Sequence, residues 1–283
     1  MGLKKTQYVE LAEELARQYS QMNQVHAIAL GGSQRTWAVD AHSDIDLYVF
    51  IDAIIPLQER EKIVFERGAN RANMNLSFWD LGDEWFDAET GIEVDLMLWQ
   101  RSWIEEQIDR VVLRHEASVG YTTCFWHTIR NARCLFDRDG WFAQLQHKCM
   151  VPYPEPLRKR IIAKNHPVLR QVIPAYAAQI KKALDREDLI SVNHRVAGLL
   201  ASYFEVIYAV NRVLNPGEKK ILPFIEKTCQ KIPVGMAEQV ERVLRKTASI
   251  NFELLDEIDR LVDGVDVLLQ NEGFDPDRTL FLT

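Results

Sequence analysis

The sequence predicts an α+β fold, in which an α/β domain with a mixed sheet comes first and an all-α helical bundle follows. Short apolar runs typical of strands fall within the first hundred residues, among segments of helical periodicity. Three prolines lie within Val151–Pro156, where neither a helix interior nor a central strand would accept them. Beyond this connector the apolar spacing is almost entirely helical. We therefore expect two domains, residues 1–150 and 151–283.

The first domain is predicted to open with a helix and to continue with four strands. Apolar or small residues recur at three- and four-residue spacing over residues 7–24, which is the pattern of an amphipathic helix. Residues 34–42 are expected to form a short helix or a loop, and Ser102 with Glu105 forms a capping-box pattern that starts a later helix. The predicted strands are Val25–Leu30, Ile45–Ile51, Met74–Trp79 and Ile92–Trp99.

The second domain is predicted to be a bundle of four or five helices, because the apolar positions repeat with helical spacing almost throughout. The periodic stretches are Leu157–Leu184, Leu189–Leu214, Lys219–Lys231 and Met236–Asn271.

Composition narrows the class of protein. No uncharged apolar run reaches the roughly 18 residues that a membrane span needs, and the N-terminal segment lacks the pattern of a signal peptide, so we expect a cytoplasmic protein. The formal charge of −7 disfavours a long nucleic acid as partner. The four cysteines lie far apart without metal-ligand spacing, which predicts reduced thiols. They are Cys124, Cys134, Cys149 and Cys229.

Three acidic residues carry the strongest chemical signal. Asp44 and Asp46 open the second predicted strand, and period-two alternation places both on one face. Two carboxylates so close repel each other unless a cation lies between them. Asp95, inside a later strand, would complete a set of hard oxygen ligands of the kind that Mg²⁺ takes when it also holds substrate phosphates. Two ions about 3.5 to 4 Å apart would stabilise both oxygens of an in-line displacement. This cluster suits phosphoryl or nucleotidyl transfer.

A glycine turn precedes these residues. Gly31-Gly32-Ser33 follows the first predicted strand, and glycines let a backbone approach phosphates closely. A helix that starts after Ser33 would offer free N–H groups and a positive dipole end to a triphosphate.

Together these motifs resemble the signature of the polymerase-β-like nucleotidyltransferases. Gly32-Ser33 is followed by nine residues and then by Ser43-Asp44-Ile45-Asp46-Leu47, with Asp95 in a later strand. The chain is most similar to small two-domain bacterial members, such as the aminoglycoside and lincosamide nucleotidyltransferases. Residues 203–220 also resemble uncharacterised bacterial proteins predicted to be such transferases.

The resemblance implies a role for each matched residue. Asp44 and Asp46 would bind two Mg²⁺ ions, and Asp95 would bind the catalytic ion or act as base toward the acceptor hydroxyl. Gly32 and Ser33 would hold the terminal phosphates of ATP or another nucleoside triphosphate. A helical C-terminal domain would cover the nucleotide and the acceptor.

Several other candidate site residues have two possible interpretations, one functional and one structural. Arg35 could neutralise a phosphate or cap a surface, and Lys219 and Lys220, after a Pro-Gly turn, could meet the triphosphate or be solvated. Glu93 shares the face of Asp95 and could be a base or an exposed strand end. Trp37 stands four residues after Ser33, where the family often has a second glycine. Four tryptophans near the acidic strand could line an acceptor cleft or belong to the core: Trp79, Trp85, Trp99 and Trp103.

The preferred hypothesis is a metal-dependent transferase that moves AMP from ATP to a hydroxyl of a small molecule, with an antibiotic among the acceptors that the resemblance suggests. One alternative is a regulatory module that binds a nucleotide without catalysis. Another is a transferase that acts on a protein or an RNA end, although the acidic total counts against RNA. An apolar-rich helical domain could also pair two subunits as a homodimer.

Overall fold

The structure, a computed structural model, describes residues 2–31, 44–69 and 71–282, with side chains from residue 7 onward. The chain divides into two compact units. The first comprises Met1–Asp109 and Thr128–Val151, and the second comprises Arg110–His127 and Pro152–Thr283. The predicted boundary lies between residues 150 and 151, and the second unit also takes in the segment 110–127.

The first 151 residues alternate helices with strands. In chain order these elements are α1 Gly2–Tyr19, β1 Val25–Leu30, β2 Ile45–Ile51, α2 Leu57–Glu66, β3 Arg71–Leu76, β4 Gly82–Phe86, β5 Glu93–Gln100, α3 Arg101–Val112, α4 Cys124–Asn131, β6 Arg133–Asp137 and α5 Trp141–Lys148.

The described strands form one six-stranded sheet in the order β3-β4-β5-β2-β1-β6. Strands β2 and β5 pair in parallel, and the other neighbours are antiparallel. The mixed sheet that the sequence predicts is therefore confirmed. The parallel pair lies at the centre, where both strands are hydrogen-bonded on both sides.

One face of this central pair belongs to the hydrophobic core. Alternate side chains of β2 and β5, together with the apolar stripe of α1, are buried in a single cluster. Each such aliphatic side chain contributes about 1.5 to 3 kcal/mol when it is fully buried. The intervening residues of both strands must face the other side of the sheet, because side chains alternate along a strand. The buried members include Ile45, Leu47, Val49, Val94, Leu96, Leu98, Leu11 and Leu15.

Three predicted element boundaries in this unit are wrong. The helix predicted to start with a capping box at Ser102 begins at Arg101, directly after β5, so Ser102 lies inside α3 and not at its N-cap. Helix α1 ends at Tyr19 rather than near residue 24, since the Ser20 hydroxyl donates a hydrogen bond to the carbonyl of Arg17 (2.8 Å) and the chain turns. The strand predicted at Met74–Trp79 ends at Leu76, and the chain then turns and returns as β4. Strand β4 was not predicted, because its sequence GDEWF contains no aliphatic residue.

The second unit is helical, as the sequence predicts, but the expected count of four or five helices is wrong. Residues 152–282 contain seven α-helices and a 3₁₀ helix. The bounds are α6 Glu155–Asn165, α7 Pro167–Arg170, α8 Tyr176–Asp185, α9 Leu189–Asn211, α10 Ile221–Thr228, α11 Met236–Lys246, α12 Glu253–Asn271 and the 3₁₀ helix Pro276–Phe281.

Prolines and a side-chain hydrogen bond in a turn explain the extra breaks. Pro167 opens α7 and Pro174 precedes α8, since proline lacks an N–H and cannot continue a helix. The side chain of Asn251 accepts a hydrogen bond from the backbone of Glu253 (2.9 Å) just where α12 begins. No helix in the described ranges has both the length and the apolar character needed to cross a bilayer.

Candidate active site

The face of the sheet opposite the core carries a line of acidic side chains. Asp46 on β2 is the register partner of Asp95 on β5, and Asp95 is also the partner of Glu84 on β4. Neighbouring strands lie about 4.8 Å apart, and cross-strand partners share a face. We call Asp46, Asp95 and Glu84 the acidic row. Asn73 on β3 pairs with Glu84 and continues the row in uncharged form.

The structure brings two of the three predicted aspartates side by side and places the third next to them along the chain. Asp46 and Asp95 are both half-buried. Asp44 is also half-buried, and it lies one residue before β2 and two before Asp46. Two of the three predicted metal ligands therefore lie side by side near the N-terminal ends of the central parallel pair, and the third directly precedes one of these strands.

Tyr48 is the next residue on this face and lies against the end of β1. The Gly31 N–H donates a hydrogen bond to the carbonyl of Asp46 (2.9 Å), which brings the two backbones together. A Cβ at Gly31 would stand 2.1 Å from the Tyr48 ring, so this position has no room for a side chain. Any other residue at Gly31 would therefore require the Tyr48 ring to shift.

The pKa of Tyr48 reports the local field. Burial raises the pKa of this hydroxyl well above its usual value, and the charges of Asp46 and Asp95 raise it further, while a hydrogen bond with Thr128 acts in the opposite direction. The phenol therefore stays protonated at neutral pH. The negative charges of Asp46 and Asp95 therefore both act on the Tyr48 hydroxyl.

Aromatic rings continue the face beyond the carboxylates. The Trp99 ring lies 4.4 Å from the Tyr48 ring, and the Phe50 ring lies 6.1 Å from Trp99, measured between centroids. Trp99 is buried, and its Nε1 donates a hydrogen bond to Asp80 (3.1 Å). One end of the central strands is thus acidic and half-exposed, and the other is aromatic and closed.

The four tryptophans singled out from the sequence have different surroundings. Trp85 and Trp99 are buried and Trp103 is half-buried, so these three contribute to packing. Trp79 is 94% exposed, in the turn between β3 and β4.

Two members of the acidic row could serve as ligands for a divalent cation that also binds phosphate. Among the described residues, no group of three or more acidic, histidine or cysteine side chains is close enough to enclose one ion. Mg²⁺ does not need such a cage, since it usually binds through one or two carboxylates together with water and substrate phosphates. Asp46 and Asp95, adjacent and half-buried, offer two hard oxygen ligands of this kind.

The remaining predicted site residues belong to other parts of the chain. Gly32, Ser33 and Arg35, as well as Trp37, lie outside the described residues. Lys219 and Lys220 are exposed in the second unit, in the turn that precedes α10. Their predicted phosphate contacts stay predictions.

Two glutamates on β4 and β5 bear on the interpretation of this face. Glu93 is exposed at the first position of β5 and faces Phe86 across the strands. Glu84, which the sequence analysis missed, is the direct neighbour of Asp95. In the sequence, Glu84 is an acidic residue beside Trp85 in a short segment. Its position next to Asp95 could not be predicted without knowing how the strands pair.

Comparisons with known proteins give distant likenesses. Residues 123–220 match a domain of unknown function (DUF4037). A nucleotidyltransferase-like protein from Exiguobacterium sibiricum aligns over 96% of this chain and 78% of its own, at 13% identity and a TM-score of 0.43. A STING-associated CdnE c-di-GMP synthase from Capnocytophaga granulosa aligns over 96% of this chain and 83% of its own, at 10% identity and a TM-score of 0.31. No curated protein matches the sequence.

Proposed function

We propose that this protein is a nucleotidyltransferase that moves AMP from ATP to a hydroxyl of a small-molecule acceptor. One observation carries the proposal: Asp46 and Asp95 are register partners on adjacent parallel strands, with Asp44 two residues upstream. Like charges directly opposite each other destabilise a sheet. A cation bound to both carboxylates would turn this repulsion into attraction, which is what a metal-dependent transferase requires at this position.

The metal of this proposal is Mg²⁺, held by Asp46 and Asp95 with Asp44 beside them. When bound, it would neutralise the charge of the triphosphate and stabilise the attacking and leaving oxygens. The aspartates themselves fix the position of the reaction on a rigid sheet, because both belong to hydrogen-bonded strands.

The chemical step is an in-line displacement at the α-phosphorus. The acceptor oxygen forms a bond to this phosphorus while the bond to the bridging oxygen breaks, and pyrophosphate leaves with that electron pair. The hydroxyl proton must pass to a base within hydrogen-bond reach. We assign the proton to the Asp95 carboxylate, which lies between the other two members of the row.

Calorimetric titration with a non-hydrolysable ATP analogue, with and without Mg²⁺, tests the nucleotide site. We expect binding that needs Mg²⁺ and that Asp46→Asn or Asp95→Asn abolishes. Glu93→Gln is the matched control, since it removes an exposed carboxylate from the same strand as Asp95. Metal-dependent binding that survives the double substitution of Asp46 and Asp95 would refute the proposed site.

Pyrophosphate release tests catalysis. Hydroxyl acceptors, with aminoglycosides and lincosamides first because of the family resemblance, are supplied with ATP and Mg²⁺. Removing a carboxylate that holds the metal should lower the rate by at least about 1,000-fold, which corresponds to about 4 kcal/mol. A folded Asp95→Asn variant with full turnover would contradict the assigned role.

A further inference from the structure

A cavity of about 350 Å³ opens on the acidic face of the sheet, beside β3 and β4. Small-molecule sites usually have volumes of about 300 to 1,000 Å³, so this cavity suits a compact ligand. Asp95 and Glu84 of the acidic row lie in its wall. We call it the hairpin cavity, and its lining includes Phe78, Trp79, Asp80, Glu84, Asp95 and Met97.

Two large aromatic side chains stand at this cavity with almost no packing of their own. Trp79 is 94% exposed and Phe78 is 82% exposed, in the turn that joins β3 to β4. Aromatic side chains that remain in water contribute little to the stability of the fold. Adjacent exposed aromatic residues at the wall of a cavity are typical of a binding surface.

The lining of the cavity is negatively charged. Asp80, Glu84 and Asp95 contribute carboxylates, and no Lys, Arg or His is found among the described residues that line it. Asp83 also contributes to the wall, but Arg60 pairs with its carboxylate. The charge of the cavity is thus opposite to what a phosphate-bearing or carboxylate-bearing ligand would need.

The walls of the cavity are held in place from the core side. Arg60 donates hydrogen bonds to Asp83 and to the Asn75 side chain (3.0 Å for the latter), and the Asn75 N–H donates to Asp83 (2.8 Å). Asn75 has a φ of 58°, so this buried network fixes a bend at the end of β3. On the other side of the turn, Trp99 holds Asp80. A wall fixed in this way loses little entropy when a ligand binds.

We infer that the hairpin cavity binds the acceptor substrate and selects an organic cation that carries a hydroxyl group. Carboxylates attract the cation directly, and the faces of Trp79 and Phe78 favour it by cation–π interaction. A hydroxyl of the same molecule would then lie beside Asp95, where its proton is removed. The name acceptor rests on the proposed function, whereas the preference for a cation rests on the cavity alone.

Three probes of nearly the same shape test the charge preference. They are choline, its neutral isostere 3,3-dimethyl-1-butanol and the anion 3,3-dimethylbutanoate, titrated into the full chain by NMR without nucleotide or Mg²⁺. We expect choline to bind at least fivefold more tightly than the neutral probe, and the anion to bind most weakly. Equal binding of the three probes, or no binding of choline, would overturn the inference.

Substitutions locate the probe. Trp79→Ala should weaken choline about two- to fivefold, as expected for an exposed cation–π contact, and Trp79→Phe should restore part of the loss. Glu84→Gln should reduce the preference for choline over the neutral probe, and Glu93→Gln should leave it unchanged. If Trp79→Ala, Trp79→Phe and Glu84→Gln all bind choline as the wild type does, the ligand binds elsewhere and the assignment is refuted.

The two proposals can fail separately. Selective choline binding that depends on Trp79 and Glu84, in a chain that does not bind the ATP analogue, keeps the cavity and refutes nucleotidyl transfer. Metal-dependent nucleotide binding that Asp46→Asn abolishes, in a chain without cation preference, does the reverse. Asp46 separates the two tests because the lining of the hairpin cavity does not include it.

Discussion

The two faces of the same sheet treat negative charge in opposite ways. On the core face, the buried carboxylates of Asp83 and Asp87 are paired with Arg60 and Arg67, which α2 and its C-terminal end supply. On the other face, Asp46 and Asp95 have each other as nearest cross-strand partners, and Glu84 adds a third carboxylate. Asp83 and Glu84 are consecutive residues, so one peptide unit separates the two arrangements.

This difference is the basis for the function proposed for the acidic row. A buried carboxylate with its own arginine completes the fold, and nothing further is needed to neutralise it. Carboxylates aligned with other carboxylates repel each other, and in the proposed function a bound cation would offset that repulsion. The second unit offers a further contrast: Glu205 is fully buried and accepts hydrogen bonds from the Thr122 N–H (3.0 Å) and from Asn215 (2.6 Å). Its surroundings are complete within the chain.

Breaking the core-face pair should produce the largest loss of stability. Arg60→Met leaves Asp83 buried without its cation, and we expect the free energy of unfolding to fall by about 3 to 5 kcal/mol. Urea unfolding followed by tryptophan fluorescence measures this loss. The fluorescence reports mainly on the first unit, because Trp126 is the single tryptophan that belongs to the second unit.

A second substitution controls for lost packing. Adding Asp83→Asn to Arg60→Met removes the stranded charge and keeps an acceptor for the Asn75 N–H. Most of the stability should then return. If the single variant loses less than about 1 kcal/mol, the pair is solvated and the contrast between the faces fails.

Asp87 should make the first unit sensitive to acid. Burial raises the pKa of this carboxyl, but hydrogen bonds from Arg67 and Thr90 outweigh it and hold the pKa below its usual value. A lowered pKa stabilises the fold above the unfolded value of about 3.9, and the effect is lost as pH falls through the folded value. Asp87→Asn should therefore cost about 1 to 3 kcal/mol at pH 7 and flatten the decline of stability below about pH 4.

The matched control for Asp87 is Glu89→Gln, which removes a mostly exposed carboxylate 3.8 Å from the same Arg67. We expect it to change stability by less than about 0.5 kcal/mol. A loss equal to that of Asp87→Asn would show that the charge around Arg67, rather than the buried hydrogen bonds, stabilises this corner of the sheet.

The central strands could be predicted from sequence because their signals are local. A run of β-branched and aromatic residues predicted β2, and an alternation of faces predicted β5. The period-two rule of strands also placed Asp44 and Asp46 on one face. The aliphatic half of each pattern became the core face, as expected. The side-by-side placement of Asp46 and Asp95 then follows from the parallel pairing of two strands.

Strand β4 and the hairpin cavity could not be predicted in this way, because pairing across the sheet defines them. A Cβ at Gly82 would stand 2.3 Å from the carbonyl oxygen of Leu96, so β4 lies so close to β5 that only glycine fits. That contact joins residues far apart in sequence. For the same reason the sequence placed Trp79 in a predicted strand, whereas the structure has it exposed in the turn between β3 and β4.

The acidic row should show its repulsion as a small gain of stability on substitution. Without divalent metal, Asp46→Asn should stabilise the first unit by about 0.2 to 1 kcal/mol, because it removes a like charge opposite Asp95. Mg²⁺ should reverse the order by stabilising the wild-type chain alone. Thermal unfolding in EDTA and in Mg²⁺ measures both effects. An Asp46→Asn variant that gains as much from Mg²⁺ as the wild type would indicate that the ion binds elsewhere.

Trp79→Ala should have the smallest effect on stability, within about 0.5 kcal/mol, because the side chain is almost fully exposed. Trp85, six residues later and 1% exposed, is the matched comparison, and Trp85→Ala should cost about 3 to 5 kcal/mol. Urea unfolding of the two variants measures the difference. If Trp79→Ala also costs several kcal/mol, this side chain packs in solution and the hairpin cavity loses its aromatic wall. If Trp79→Ala leaves the free energy of unfolding unchanged while choline binding weakens, Trp79 contributes to recognition and not to folding, as the inference about the hairpin cavity predicts.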